Sequence, residues 1–289
     1  EPQQLGQWDM AFSFLLLAAP LAMLSLASAF PRYVEHYRQR GQLRAVVRRT
    51  ALACALLGGL AVTFILLAQP AFSRLIFGTP QRTELVALLA LGLAGVIAMN
   101  YLIELFSALR NVRLIAGLQL LNSLTFAGLG IYLLLSWRCA AVSVLLAYVG
   151  ASILTATVGS FWLIRHWRGL PGHAQPPPHR ALWAKLLPFA AWIWITNITA
   201  NLFVIVDRYM IVHYSRFAPS EALAQVGEYH SSRVLPAFLI SITAALSSIV
   251  MAHLSHDWEA GRRDRAAARL NLFLKLFGFA LSAAAVMIL

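Results

Sequence analysis

The chain has 289 residues, of which 60% are hydrophobic and only 12% are charged, and its mean hydropathy is +0.71. Soluble domains are about 45–50% apolar and about 25% charged, so this composition excludes a soluble enzyme, a disordered region and a disulfide-stapled domain. The formal net charge of +12 predicts a membrane topology signal and anionic lipids as partners, with no nucleic-acid partner.

Taken in chain order, eight stretches of about 20 mainly apolar residues predict eight transmembrane helices. They cover residues 10–30, 50–70, 84–107, 114–135, 139–164, 186–206, 234–253 and 270–289. The chain is therefore expected to be an all-α, polytopic membrane protein with little left for a soluble domain.

The longest gap between these stretches, residues 165–185, contains two glycines and the run Pro176, Pro177 and Pro178. Such a composition is typical of an extended, semi-rigid linker. It divides the chain into residues 1–164, with five predicted helices, and residues 186–289, with three.

The basic residues predict the orientation, because cytoplasmic loops retain Lys and Arg. Seventeen of the 23 fall in alternate loops: Arg32, Arg38, Arg40, Arg44, Arg48, Arg49, Arg110, Arg113, Arg165, Arg168, Arg180, Lys185, Arg262, Arg263, Arg265, Arg269 and Lys275. These loops are predicted to be cytoplasmic, and the residues before the first span are predicted to lie outside.

An internal repeat is also predicted. Residues 5–8 (LGQW) resemble residues 226–229 (VGEY) at an offset of 221, and a second match follows at an offset of 220. Its aligned residues are His36, Gly41 and Arg49 with His256, Gly261 and Arg269. The same offset puts the counterpart of the 186–206 helix before residue 1, so we expect a preceding helix and about twelve or more helices in two related bundles.

Two segments resemble the polysaccharide flippases of the multidrug/oligosaccharidyl-lipid/polysaccharide (MOP) superfamily. Residues 202–278 contain a helix ending in Asp207-Arg208, then Gly227-Glu228-Tyr229 before the next helix, and then a basic loop. Residues 26–41 (LASAFPRYVEHYRQRG) look like that family's second helix running into its first cytoplasmic loop. The likeness covers nearly the whole chain.

The resemblance implies a two-lobe, inverted-V bundle of six or more helices per lobe. It implies that the protein is not an enzyme and moves a polyprenyl-diphosphate-linked oligosaccharide, such as an O-antigen repeat unit, across the bacterial inner membrane. The expected partners are this lipid-linked oligosaccharide, anionic lipids and polysaccharide polymerase or assembly proteins. No cofactor is implied, although coupling to protons or sodium stays open.

Polar residues inside an apolar span need a reason to face the bundle or a cavity. Successive residues of an α-helix are rotated by 100° about its axis. On the third predicted span this rotation places four polar residues within an arc of about 60°. The members of this polar stripe are Asn100, Glu104, Ser107 and Asn111. The stripe predicts a wet path in which Glu104 is a candidate for cargo binding or cation coupling; the alternative is hydrogen bonding that only fastens the helices.

A second polar stripe comprises Asn197, Asn201 and Arg208, with Asp207 about 80° away. A third, weaker polar face contains Asn122. The alternatives for these residues are interhelical hydrogen bonds and, for the charged pair, snorkelling to the interface.

A diphosphate cargo needs cations, and the planar fork of arginine holds two phosphate oxygens at once. Arg32, Arg208 and Arg233 lie near predicted helix ends and are the candidate cavity cations. For Arg32 the alternative is an anchor to anionic headgroups. Glu35 is either a partner of a loop arginine or a coupling group.

Two other function classes stay open. A drug or cation antiporter of the same superfamily should have a compact cavity with a lone buried carboxylate and fewer arginines. A membrane-embedded glycosyltransferase or polymerase should have a sizeable loop with catalytic acids. His253 and His256 have no third ligand nearby, so no metal site is predicted.

Overall fold

The computed structural model describes residues 1–137, 140–172, 175–259 and 262–288. Within the last two helices it describes the backbone alone at residues 240, 242–259, 266, 280–281 and 283–288. The described residues form ten α-helices: α1 Pro2–Met23, α2 Phe30–Gln39, α3 Leu43–Leu67, α4 Gln69–Phe77, α5 Thr83–Ala108, α6 Val112–Ser136, α7 Ala141–Arg165, α8 His179–Tyr214, α9 Pro219–Glu259 and α10 Arg263–Ile288. Two short 3-10 helices cover Ala27–Ala29 and Trp167–Gly169.

Six of these helices are long and apolar enough to cross a membrane: α1, α3, α5, α6, α7 and α8. The all-α, polytopic class predicted from the sequence is thereby confirmed. The predicted spans at 234–253 and 270–289 fall on α9 and α10, where many side chains are outside the described part of the chain. They stay predictions, and the side chains of His253 and His256 are likewise not described.

Several helices extend further than the apolar stretches that predicted them. α8 begins at His179, so residues 179–185 of the predicted linker are helical, and the connection from α8 to α9 is only residues 215–218. Hydropathy detects the part of a helix inside the hydrocarbon core, which needs about 20 residues. The backbone hydrogen bonds continue through the headgroup region, where polar side chains such as Asp207 are tolerated.

The chain folds into two compact units, Glu1–Gly227 and Glu228–Leu289, each held together mainly by contacts within itself. The core of the first is built around α5, whose buried face packs against α1, α3 and α7. Gly92 and Gly95 of α5 face Val149 and Ile153 of α7, so the absence of a Cβ lets these helices approach closely. The largest fully buried side chains of the unit include Phe30, Phe77, Phe106, Met10, Leu89, Leu93 and Leu105.

The second unit contains most of α9, from Glu228 onward, and all of α10. The boundary between these two units lies inside α9. It does not test the predicted division into lobes at residues 165–185, which stays a prediction.

The basic loops gather at one end of the first unit. Arg44 Nε donates to the Leu170 carbonyl at 2.6 Å, and Gln42 Nε2 donates to the Gln175 carbonyl at 2.8 Å. The segment before and at the start of α3 therefore holds the proline-rich linker at the same end. This is the clustering that alternation of basic loops predicts for one side of a membrane.

Candidate functional site

Helix α1 breaks where its proline removes a backbone donor. Pro20 has no N–H, so the carbonyl of Leu16 loses its usual partner in the helix. The helix stops at Met23, and Leu24 and Ser25 both adopt left-handed backbone conformations, with φ of 50° and 47°. Such conformations cost about 1–3 kcal/mol per non-glycine residue and persist only where the surroundings impose them.

Two amides from α8 stabilise this break. Asn201 Nδ2 donates to the Leu16 carbonyl at 3.3 Å, which replaces the donor that Pro20 lacks. Asn197 Nδ2 donates to Ser25 Oγ at 3.2 Å, and Ser25 is only 2% exposed. One turn separates these two asparagines, so the polar stripe predicted on this helix faces the broken segment.

Helix α5 approaches the same segment with its own polar residues. Ser28 Oγ lies 3.5 Å from Glu104 Oε1, to which it donates a long hydrogen bond. Asn100 lies one turn before Glu104. Together these groups enclose a cavity of about 280 Å³, lined by Leu16, Pro20, Met23, Ser25, Ala27, Ser28, Asn100, Ile103, Glu104, Asn197 and Asn201.

The lining determines what the cavity can hold. Among the described residues that line it, Glu104 is the only ionisable side chain, and the remaining polar groups are hydroxyls and amides. A carboxylate surrounded by neutral oxygens suits a proton or a hard cation such as sodium, and the amides suit sugar hydroxyls. The lining supplies no cation for a diphosphate.

Arg208 shares a helix face with Asn201 but does not line this cavity. It lies seven residues further along α8, about 10 Å along the helix axis. There it is 8% exposed and forms an ion pair with Asp9 of α1, which is 1% exposed. Asp207, the other predicted charge, is exposed.

Arg32 lies on α2 at the basic end of the first unit, outside the cavity. Its guanidinium carbon is 4.6 Å from the centre of the Phe189 ring, a cation–π contact. Next to it, Lys185 Nζ is 3.2 Å from His36 Nε2. Partial burial, followed by the charges of Arg40 and Lys185, lowers the pKa of His36.

The last predicted cation, Arg233, belongs to the second unit. Its guanidinium carbon is 5.3 Å from the centre of the Tyr229 ring. On α2, Glu35 pairs with Arg38 at 3.7 Å, which is the loop pairing that the sequence left as one alternative.

Three other polar residues lie apart from the cavity. α5 ends at Ala108 and Arg110 has a φ of 58°, so Asn111 leaves the helix and does not continue the stripe. Asn122 Oδ1 accepts a hydrogen bond from Thr155 Oγ1 at 3.5 Å, which joins α6 to α7. Ser107, on the predicted stripe, is exposed.

The sequence reasoning missed the groups that α1 contributes. Ser25 and Ser28 line the cavity, and Asp9 is buried because α1 begins at Pro2 rather than at residue 10. The available signal was Pro20 inside an apolar span, since a proline there frees a carbonyl that needs a donor from another helix. Among the described residues, no group of three His, Cys, Asp or Glu could hold a metal ion.

Comparison with known protein families gives a match over most of the chain. The profile of the family described as "Polysaccharide biosynthesis protein" matches residues 1–252. No curated protein matches the chain, and no solved structure matches it. The matched region contains α1 to α8 and most of α9, so the chain belongs to the polysaccharide biosynthesis protein family, the family of the polysaccharide flippases that its sequence resembles.

Proposed function

We propose that the protein is a transporter, not an enzyme, that moves a polyprenyl-diphosphate-linked oligosaccharide to the outer leaflet of a bacterial inner membrane by alternating access. The family match supports a role in making polysaccharide, such as O-antigen. The six membrane-crossing helices support transport. The observation that carries the assignment of the site is the polar cavity at the break in α1.

In this proposal Glu104 couples transport to protons or sodium, and no cofactor takes part. Broken helices are the usual place for substrate and ion sites in transporters, because their unpaired backbone groups can bind a ligand. When Glu104 is ionised, its carboxylate attracts a cation. When it is neutral, its hydrogen bond with Ser28 weakens, and the contact between α5 and the break in α1 can change.

The diphosphate of the cargo needs cations that this cavity does not supply. The proposed candidates are Arg32 and Arg233, each of which holds its guanidinium over an aromatic ring. The sugars are proposed to use amides such as Asn100 and Asn197. Polysaccharide polymerase or assembly proteins would then receive the cargo outside.

The cavity also supports a second candidate, a drug or cation antiporter of the same superfamily. Glu104 is the lone charge lining a small pocket in the described residues, which is the arrangement expected of an antiporter. The family match favours the polysaccharide cargo, so the two candidates differ in cargo and share Glu104 as the coupling group.

The test is made in the native host after deletion of the gene, so that the cargo has the right sugars. The intact gene should restore surface polysaccharide, with its lipid-linked precursor accessible from outside. Glu104→Gln should abolish restoration even when the variant protein reaches the membrane at normal levels. A neutral amide cannot take up and release a proton or attract a cation by its charge. Glu84→Gln, the same change at an exposed position of α5, is the matched control and should restore fully.

Two results would contradict the proposal. Precursor that stays on the inner face despite good expression of the intact gene would exclude flipping, and resistance to cationic drugs in those cells would favour the antiporter. Full restoration by Glu104→Gln would show that Glu104 is not the coupling group, and it would leave the proposed cargo unchanged.

A further inference from the structure

A second cavity, of about 510 Å³, lies at the basic end of the first unit and is independent of the proposed transport site. It is formed where α5 ends, α7 ends and α3 begins. Its lining residues are Arg38, Leu43, Leu109, Arg110, Asn111, Trp162, Leu163, Arg165, His166, Gly169, Leu170 and Pro171.

The charge of this cavity has one sign. Three arginines and one histidine line it, and none of its described lining residues is acidic. Arg38 pairs with Glu35 at 3.7 Å, whereas the guanidinium groups of Arg110 and Arg165 make no ion pair within the described chain. Like charges placed together destabilise one another unless an anion lies between them, so the cavity is suited to a ligand that carries negative charge.

One wall of the cavity is aromatic and apolar, and its side chains pack against one another. His166 stacks on Trp162 with ring centres 4.0 Å apart, and Trp162 packs edge-on against Phe106 at 5.2 Å. Arg44 donates to the Leu170 carbonyl at 2.6 Å, which holds the far wall. Packed side chains of this kind lower the entropy cost of holding a ligand.

From the lengths of the helices that form it, we expect this cavity to lie at headgroup depth. α5 has 26 residues and α7 has 25, which at 1.5 Å per residue is about 38 Å. The hydrocarbon core is only about 30 Å thick, so the ends of both helices reach the polar interface. A ligand at this depth can place an anionic head among the arginines and an apolar chain against Trp162 and Leu163.

We infer that this cavity binds the phosphate headgroup of an anionic phospholipid. The fork of an arginine side chain matches two phosphate oxygens, and basic pockets between helices at the cytoplasmic interface are suited to such headgroups. The bound lipid screens Arg110 from Arg165 and joins the ends of α5 and α7. A soluble phosphate would use the same cations but not the apolar wall.

The test measures lipid binding to the purified full-length protein in detergent by native mass spectrometry. The probes are phosphatidylglycerol, phosphatidylcholine and soluble glycerol 3-phosphate. We expect one phosphatidylglycerol to bind at least about tenfold more tightly than phosphatidylcholine, and the Arg110→Gln/Arg165→Gln double variant to lose that preference. Arg113→Gln is the matched control, because Arg113 is exposed near Arg110 and does not line the cavity.

The double variant must first be shown to fold. It should elute as a single species and bind phosphatidylcholine as the wild type does before its preference for phosphatidylglycerol is measured. An unchanged preference for phosphatidylglycerol in that variant overturns the assignment. So does an equal loss in Arg113→Gln, which would indicate general surface charge. Competition by glycerol 3-phosphate as strong as by the lipid would make the site one for soluble phosphate and would overturn its assignment to a lipid.

Discussion

Asp9 of α1 and Arg208 of α8 are opposite charges buried between two membrane-crossing helices. The Asp9 side chain is 2% exposed and the Arg208 side chain 10%, so water screens neither charge well. Arg208 also donates to the Val204 carbonyl one turn earlier. Pairing offsets the cost of removing both ions from water, and removing one partner leaves an uncompensated charge.

We therefore expect Asp9→Asn to destabilise the protein by about 3–5 kcal/mol. The measurement is the free energy of unfolding in detergent. Asp207→Asn is the matched control, since Asp207 adjoins Arg208 in sequence but is exposed, and it should change stability little. The Asp9→Asn/Arg208→Gln double variant should recover part of the loss. An Asp9→Asn variant as stable as the wild type would mean that the ion pair does not hold α1 to α8.

At the scale of the helix, the break in α1 makes a proline and an asparagine from distant parts of the chain depend on each other. Pro20 leaves the Leu16 carbonyl without its donor, and Asn201 of α8 supplies one at 3.3 Å. An unpaired carbonyl in an apolar environment costs about 1–3 kcal/mol. The asparagine is needed, on this account, only because the proline is present.

This dependence predicts a non-additive pair of substitutions. Asn201→Ala alone should lower the free energy of unfolding by about 1–3 kcal/mol. In a Pro20→Ala background the new backbone N–H can donate to Leu16, so the same Asn201→Ala change should cost clearly less. A double-mutant cycle over the four proteins measures the difference. Equal cost in both backgrounds would show that the proline and the asparagine are not linked.

The helices, the polar stripes and the clustering of basic loops followed from the sequence, because each depends on local pattern. Asn100 with Glu104, and Asn197 with Asn201, were each identified by their spacing on one helix. That the two pairs meet at one cavity depends on which helices pack together, and periodicity carries no such information. The contribution of Ser25 depends on two left-handed residues, which no apolar pattern indicates.

At the scale of the whole molecule, the start of a helix recurs with the offset of the sequence repeat. α3 begins at Leu43 and α10 at Arg263, a difference of 220 residues. The break after α1 has no counterpart, since α9 continues unbroken through the equivalent positions. Pro20 also has no counterpart there, because Ser241 stands 221 residues later.

The two glycines matched by the repeat also meet in the structure. A Cβ on Gly6 would overlap the carbonyl oxygen of Leu223, and a Cβ on Gly227 would overlap that of Pro2. At the offset of 221, Pro2 corresponds to Leu223 and Gly6 to Gly227. Each contact is thus the counterpart of the other under the offset of the repeat. The backbones of α1 and the start of α9 approach closely at these two positions, where a Cβ would overlap a backbone carbonyl.

The gathering of basic loops at one end predicts how the molecule lies in its membrane. The linker is bound to the segment around α3 at that end, while the loop at residues 78–82 connects α4 to α5 at the other. Positive residues stay on the cytoplasmic side during insertion. Gln39 and Gln81 are exposed glutamines at the two ends, and so form a matched pair of labelling positions.

In a background with Cys54 and Cys139 replaced by alanine, a membrane-impermeant maleimide is added to intact spheroplasts. The Gln81→Cys variant should be labelled at once, because its loop is predicted to lie outside. The Gln39→Cys variant should be labelled only after the membrane is permeabilised. The reverse pattern would invert the topology and place the cationic cavity at the outer face. Since the cytoplasmic leaflet carries the anionic lipids, that result would also remove the lipid expected to occupy it.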